Sequence, residues 1–195
     1  MYEALRTYIT SYAGEPVADK QFEQIKECFV PKKIRKRQYF LQSGDVCKYL
    51  GFVVRGALRQ YSIDEKGVEH IVQFGIEDWW VGDRESFTML TPSKYNIDAL
   101  EDCDLLLITY EKLQYLIVHV PVMTKTITQM DQKHSIANQK RIHAAISLTA
   151  EERYVELMQT NPALFQRFPQ NMIASYLGIS PETLSRIRKK ATKGS

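Results

Sequence analysis

The chain has 195 residues, 44% hydrophobic and 25% charged, with a formal net charge of +3. That composition belongs to a globular protein with a true core and excludes a disordered chain, a collagen-like repeat and a membrane bundle. The length allows one large domain or two small ones, and a charge of +3 identifies no partner until its placement is known.

The N-terminus, Met1 to Arg6, has an early acid and no apolar run, so it lacks a secretory signal and a cytoplasmic location is expected. Residues 18–29 place Phe22, Ile25, Cys28 and Phe29 on one face at helical spacing, and Pro31 stops that amphipathic helix. From Lys32 to Thr109 the texture changes to short runs of Val, Ile, Tyr and Phe, broken by Gly and Asp turns at intervals of about 8 to 12 residues. This predicts an antiparallel sandwich or jelly roll over residues 30–109.

The helical period returns in residues 109–119 and, past Pro121, in a stretch from Val122 to Ile146 without Gly or Pro. Ile127, Met130, His134, Ala137, Arg141 and Ala144 recur there at three- and four-residue steps. Such a seam packs on its own domain or pairs two chains as a homodimer. The most apolar stretch, Leu105 to Val120, is interrupted by Tyr110, Glu111, Lys112, Gln114 and His119, so no membrane-spanning helix is expected.

Cys28, Cys47 and Cys103 lie far apart and contain no Cys-x-x-Cys pair, and His70, His119, His134 and His143 lack metal-ligand spacing. With no Gly-rich phosphate loop or nucleophile elbow either, no cofactor, metal or catalytic residue is identified and no enzyme is expected.

From Ile146 onward seven basic residues face four acids, which accounts for the whole net charge. Thr149 and Glu152 form a capping box for a helix that Pro162 ends. In the following segment, PQNMIASYLGISPETLSRIRKK, Ile173, Ala174 and Leu177 make one apolar face. Gly178 stands where a helix needs a left-handed end, and Ser180 and Pro181 open a second helix. Leu184 and Ile187 return onto the first face, so two helices meet at a tight turn. This is a helix-turn-helix, and it predicts double-stranded DNA as partner. Its outer face carries Glu182, Ser185, Arg186 and Lys189. Arg can take guanine O6 and N7 as a pair, and Glu can accept from cytosine N4. Gln170 and Thr183, near the helix starts, together with Arg188, Lys189 and Lys190, are expected to hold phosphates.

The order of these elements resembles the cyclic-AMP receptor protein and Fnr (Crp/Fnr) family of bacterial transcription regulators over nearly the whole chain. The resemblance implies an α+β fold with three parts. An N-terminal antiparallel β jelly roll of the cyclic-nucleotide-binding type would cover residues 1–121, a dimerisation helix residues 122–146, and a helix-turn-helix DNA-binding domain residues 147–195. It implies a homodimeric transcription regulator on a palindromic site, with RNA polymerase as a further partner; the alternative is a ligand-binding or interaction module of the same fold that has lost productive DNA binding. Ser180, Glu182, Thr183 and Arg186 match the family's recognition-helix pattern, with Pro181 at its first basic position. Ile127, Met130, His134, Ala137 and Arg141 fall at its dimer seam.

The effector cassette departs from the pattern. The family's Gly-Glu is Gly82 and Asp83 here, and its phosphate-holding Arg is Ser93, followed by Lys94. A serine does not replace a bidentate guanidinium, so cyclic AMP is not expected to bind in the usual way. Gly82, Asp83, Ser93 and Lys94 are left as a turn with solvated charges or as a site for an unidentified small anionic effector. The oxygen-sensing branch needs a cysteine set near the N-terminus, where only Cys28 lies, and His70 alone does not provide haem ligation. The chain ends five residues after Lys190, from which the family's β-hairpin wing is expected to be missing.

Overall fold

A computed structural model describes residues 1–193. Two helices come first, α1 (Tyr2–Ala13) and α2 (Asp19–Cys28). Eight strands follow: β1 (Val30–Ile34), β2 (Tyr39–Leu41), β3 (Leu50–Arg55), β4 (Leu58–Ile63), β5 (Glu69–Gly75), β6 (Trp80–Val81), β7 (Asn96–Ala99) and β8 (Cys103–Ile108). The short helix α3 (Arg84–Met89) lies between β6 and β7. All pairings are antiparallel, in two four-stranded sheets ordered β1-β8-β3-β6 and β2-β7-β4-β5. This is the expected jelly roll.

Strands β3 and β8 explain their own sequence. Phe52 and Val53 are adjacent and fully buried, as are Leu105 and Leu106, because both faces of this sheet are covered. A strand buried on two faces loses the polar alternation that a half-exposed strand keeps. One cover is the roll interior. The other comes from α1, whose Tyr8 ring lies 5.1 Å from Phe52 and 6.3 Å from Trp80.

Helix α4 (Tyr110–His119) leads through Pro121 into α5 (Pro121–Ser147), 27 residues long. No Gly or Pro interrupts it after the first turn, where proline's missing N–H costs nothing. Its first turns bury Val122, Met123, Thr126 and Met130 against the roll and α1. Residues 131–143 are all exposed.

Helix α6 (Ala150–Thr160) begins with the expected capping box. Thr149 Oγ1 accepts from Glu152 N at 3.3 Å, and Glu152 accepts from Thr149 N at 2.8 Å. Pro162, expected only to end this helix, also opens a further one, α7 (Pro162–Arg167), with Asn161 as the shared cap. A proline after a helix end is also a proline at a first helical position. Helices α8 (Gln170–Leu177) and α9 (Pro181–Lys193) complete the fold. The region in which a wing was expected to be missing lies outside the described residues.

The C-terminal helices do not hang free. A second core unites Ala57, Tyr61, Ile71 and Phe74 of the roll with Phe168, Ile173, Ala174 and Leu177 of the C-terminal part. The Phe74 and Phe168 rings meet tilted by 33°, with centroids 4.0 Å apart. Polar contacts surround this core. Ser175 Oγ accepts from Ile71 N at 2.9 Å and donates to Glu69 O at 3.2 Å. Arg167 grips Glu101 with two bonds, of 2.8 and 2.7 Å, and reaches Glu77 at 3.0 Å. Partial burial pushes the Glu77 carboxyl up, but the bonds from Arg167 and Gly56 N outweigh it and hold Glu77 below the usual carboxylate range.

Candidate nucleic-acid interface and effector site

The turn between α8 and α9 closes with two bonds, Ile179 N to Ala174 O and Gly178 N to Ser175 O, both 3.0 Å. This pairing needs a left-handed residue at the helix end, and Gly178 supplies it at φ 67° without steric cost. Across the turn, Leu184 and Ile187 of α9 join the core of Ile173, Ala174 and Leu177. Ala174 is fully buried, and a larger side chain there would push the helices apart.

Burying Leu184 and Ile187 leaves the other side of α9 open. Glu182, Ser185, Arg186, Arg188, Lys189 and Lys190 are all exposed. Ser180 caps the helix, accepting from Thr183 N at 3.2 Å. Thr183 Oγ1 accepts from Arg186 Nη2 at 3.1 Å, so Thr183 steadies the arginine head. The Glu182 carboxyl is held below its ordinary range by its own backbone amide and the Ser180 hydroxyl. It stays ionised and acts only as an acceptor, the role a cytosine amino group requires. Gln170 opens α8 half-buried, its Oε1 buried without a hydrogen-bond partner. Lys190 approaches Glu151 at 3.8 Å.

At the effector cassette the structure brings Gly82, Asp83 and Ser93 together and leaves Lys94 exposed outside them. The reading of Asp83 as a solvated charge is corrected: it is 6% exposed. Its Oδ1 caps α3 by accepting from Glu85 N and Ser86 N, and its Oδ2 accepts from Ser93 Oγ at 2.7 Å. Gly82 sits at φ 148°, where an added Cβ would lie 2.6 Å from Leu50, which fixes the close approach of this turn to β3. The reading of these four residues as an anion site fares no better. An anion at the start of α3 would meet a carboxylate that already satisfies the helix amides. Replacing Ser93 with alanine should leave Asp83 Oδ2 buried without its donor and lower stability by about 1–3 kcal/mol. Denaturant titration measures this, and an unchanged midpoint would mean that the Ser93 bond contributes nothing.

The residues expected at a dimer seam divide. Met130 is 6% exposed within its own chain, and Ile127 packs beside it. Arg141 Nη1 donates to Val72 O at 2.7 Å, and its guanidinium lies 5.2 Å from the Tyr176 ring. Ile127 and Met130 therefore pack within the chain, and Arg141, although exposed, is tied to β5. His134 and Ala137 are exposed; desolvation and the nearby Arg84 lower the His134 pKa. The larger open apolar residues of α5 are Ile136, Ile142 and Ile146, at 53, 61 and 80% exposure. They were missed because the seam at three- and four-residue steps leaves them out.

A β roll of this topology, closed by helices and followed by a helix-turn-helix, defines the class, and comparison with known proteins supplies the family. Residues 31–119 match the family Cyclic nucleotide-binding domain. The transcriptional activator protein FnrA of Stutzerimonas stutzeri is 26% identical over 167 residues, covering 80% of this chain and 68% of its own. The fumarate and nitrate reduction regulatory protein of Vibrio cholerae is 25% identical over 183 residues, covering 87% and 72%. Among solved structures, FixK2 from Bradyrhizobium japonicum superposes with a TM-score of 0.69 at 21% identity, over 85% of this chain and 86% of that one. The chain carries a cyclic nucleotide-binding domain and is a homologue of the Crp/Fnr-family transcription regulators. Its relatives are regulators and not enzymes. Among the described residues, no helix is long and apolar enough to cross a membrane.

Proposed function

We propose that the chain is a sequence-specific DNA-binding transcription regulator that acts as a homodimer on a palindromic site. The observation that carries this reading is the two-sided character of α9. Leu184 and Ile187 are spent on the core, while Glu182, Ser185, Arg186 and Lys189 stand open in a row suited to the major groove. Arg186 and Glu182 read a G·C step, and Ser180, Thr183, Gln170, Arg188, Lys189 and Lys190 orient the helix on phosphates. Contact with RNA polymerase belongs to the same reading.

Pairing of two chains is supported by α5, which presents residues 131–143 and Ile146 to solvent along one uninterrupted helix. Ile142 and Ile146 lie away from the intrachain face marked by Met130, Ile146 about 160° around the axis from it. The partner helix would cover these two, whereas His134 and Ala137 lie on the Met130 side of the helix, Ala137 about opposite Ile146. Gly82, Asp83 and Ser93 form a closed turn, so the regulator works without cyclic AMP in the usual place.

Selection of bound sequences from a random duplex pool by the full chain tests this. The expected result is a two-fold symmetric site with half-sites about 34 Å apart and a G·C pair in each half. Enrichment of no sequence, or binding that does not fall with salt, would favour an interaction module in place of a DNA reader.

A further inference from the structure

Three turns carry the chain between the two sheets at one end of the roll: β3 to β4 through Gly56, β5 to β6 through Glu77, and β7 to β8 through Glu101. They are bonded to one another, since Gly56 N donates to Glu77 Oε1 at 2.8 Å and Leu100 N donates to Ala57 O at 2.8 Å. Gly56 adopts φ 109°, and a Cβ there would lie 2.5 Å from Cys103 Sγ. The turns therefore form one close-packed block. Arg167, the last residue of α7, spans two of them. Its Nε and Nη2 donate to the two oxygens of Glu101 at 2.8 and 2.7 Å, and its Nη1 donates to Glu77 at 3.0 Å.

The side chains of Arg167, Glu77 and Glu101 are 28, 39 and 41% exposed. Ion pairs as open as these add little to folding stability. What a guanidinium fork between two carboxylates supplies is direction. That direction passes to the helix-turn-helix through two fixed residues: Phe168, 3% exposed in the second core, and Pro169, whose φ of −57° leads into α8. Further along α8, Ser175 is bonded to β5, and the Gly178 turn ties α9 to α8. The covalent link from α5 is weaker in this respect. It consists of two residues of extended backbone, Leu148 and Thr149, at ψ 145° and 162°, and extended backbone outside a sheet swings easily.

We propose that Arg167 is a positioning residue for DNA recognition, which with Glu77 and Glu101 latches α8 and α9 to the roll so that the two α9 helices of a dimer keep one half-site spacing. The inference rests on the reading of the chain as a homodimeric DNA reader. Two rolls joined through α5 set the frame, and a latched α9 on each sets one separation and one rotation about the duplex. Each added base pair moves the half-sites apart by about 3.4 Å and turns them by about 35°. A latched dimer cannot follow that change. An unlatched dimer follows it, but binds its best site less tightly, in proportion to the fraction of molecules whose reading helices are correctly placed.

The test measures binding of the full chain to the selected site, to the same site with one base pair inserted at its centre, and to a duplex with a single half-site. The parent should lose about 100-fold on insertion. Arg167→Met should lose about tenfold on the selected site, stay within about threefold of the parent on the single half-site, and lose at most about threefold more on insertion. Glu77→Gln/Glu101→Gln should show the same flattened spacing preference although it shifts the net charge in the opposite direction, which separates orientation from attraction to phosphate. Arg167→Lys keeps the charge without the fork and should fall between parent and Arg167→Met.

If Arg167→Met unfolds at lower denaturant concentration yet discriminates against the inserted site as the parent does, Arg167 is a structural contact only and the proposal fails. Should Arg167→Met not fold, Glu77→Gln/Glu101→Gln decides by the same comparison. A parent that binds the selected and inserted sites equally overturns the proposal and leaves α9 as the reader; a parent that enriches no sequence overturns the DNA reading itself.

Discussion

Replacing Phe74 with alanine should destabilise the protein by about 3–5 kcal/mol. The side chain is 1% exposed, its ring centroid lies 4.0 Å from that of Phe168 and 5.2 Å from that of Tyr176, and it belongs to the core that joins roll and C-terminal helices. Truncation opens a cavity at that junction, so the loss includes unfilled contact as well as transfer energy. Denaturant unfolding measures it. Limited proteolysis should cut near α6 and α7 sooner in the variant, since the hydrogen bonds of Ser175 and Arg167 would hold the two parts without their apolar centre. A loss under about 1 kcal/mol would mean that the two parts are not energetically coupled through this ring.

Arg186→Ala should cost about 1–3 kcal/mol at the selected site, a weakening of about 5- to 150-fold, and relax preference at one base pair in each half-site. Lys189→Ala should instead weaken all sequences by a similar factor and reduce the salt slope by about one. The contrast follows from chemistry. A planar guanidinium steadied by Thr183 can match two acceptors on one base edge, whereas an ammonium acts on phosphate as a point charge. Equal selectivity of Arg186→Ala and parent on the same pool would remove α9 from the base-reading role.

The fold was legible where one residue pattern has one physical solution. The Ala174, Leu177, Gly178, Ser180, Pro181 series names a helix end and a helix start in order, and Thr149 with Glu152 names another start. Strand runs such as those around Phe52 and Leu106 mark the roll because both faces are covered. Helix α1 was not legible. The lack of a secretory signal at the N-terminus carries no information about it, and the four-residue spacing of Leu5 and Ile9, both buried, is too short a pattern to set a helix apart. Helix α7 was hidden by the double meaning of Pro162.

The sites divide in the same way. An outer face follows from an inner one, so Glu182, Ser185 and Arg186 could be placed from Leu184 and Ile187 alone. The effector turn could not, because the partner of Asp83 is a hydroxyl ten residues downstream and nothing in local spacing pairs them. The seam of α5 shows the limit of periodicity. A repeat reveals that a helix has a sticky face without saying what covers it, and for Met130 the cover is its own domain.

Helix α5 has one further consequence. Its 27 residues make a rod about 40 Å long, fixed near one end by Met123 and Thr126 and near the other by Arg141 and Ala144. A tilt of about 5° at the first anchor would move the far end by about 3.5 Å, more than the span of a hydrogen bond. The rod is therefore a lever arm, and the spacing of two α9 helices along a duplex would be gauged by its stiffness, with Arg141 and Val72 as the brake.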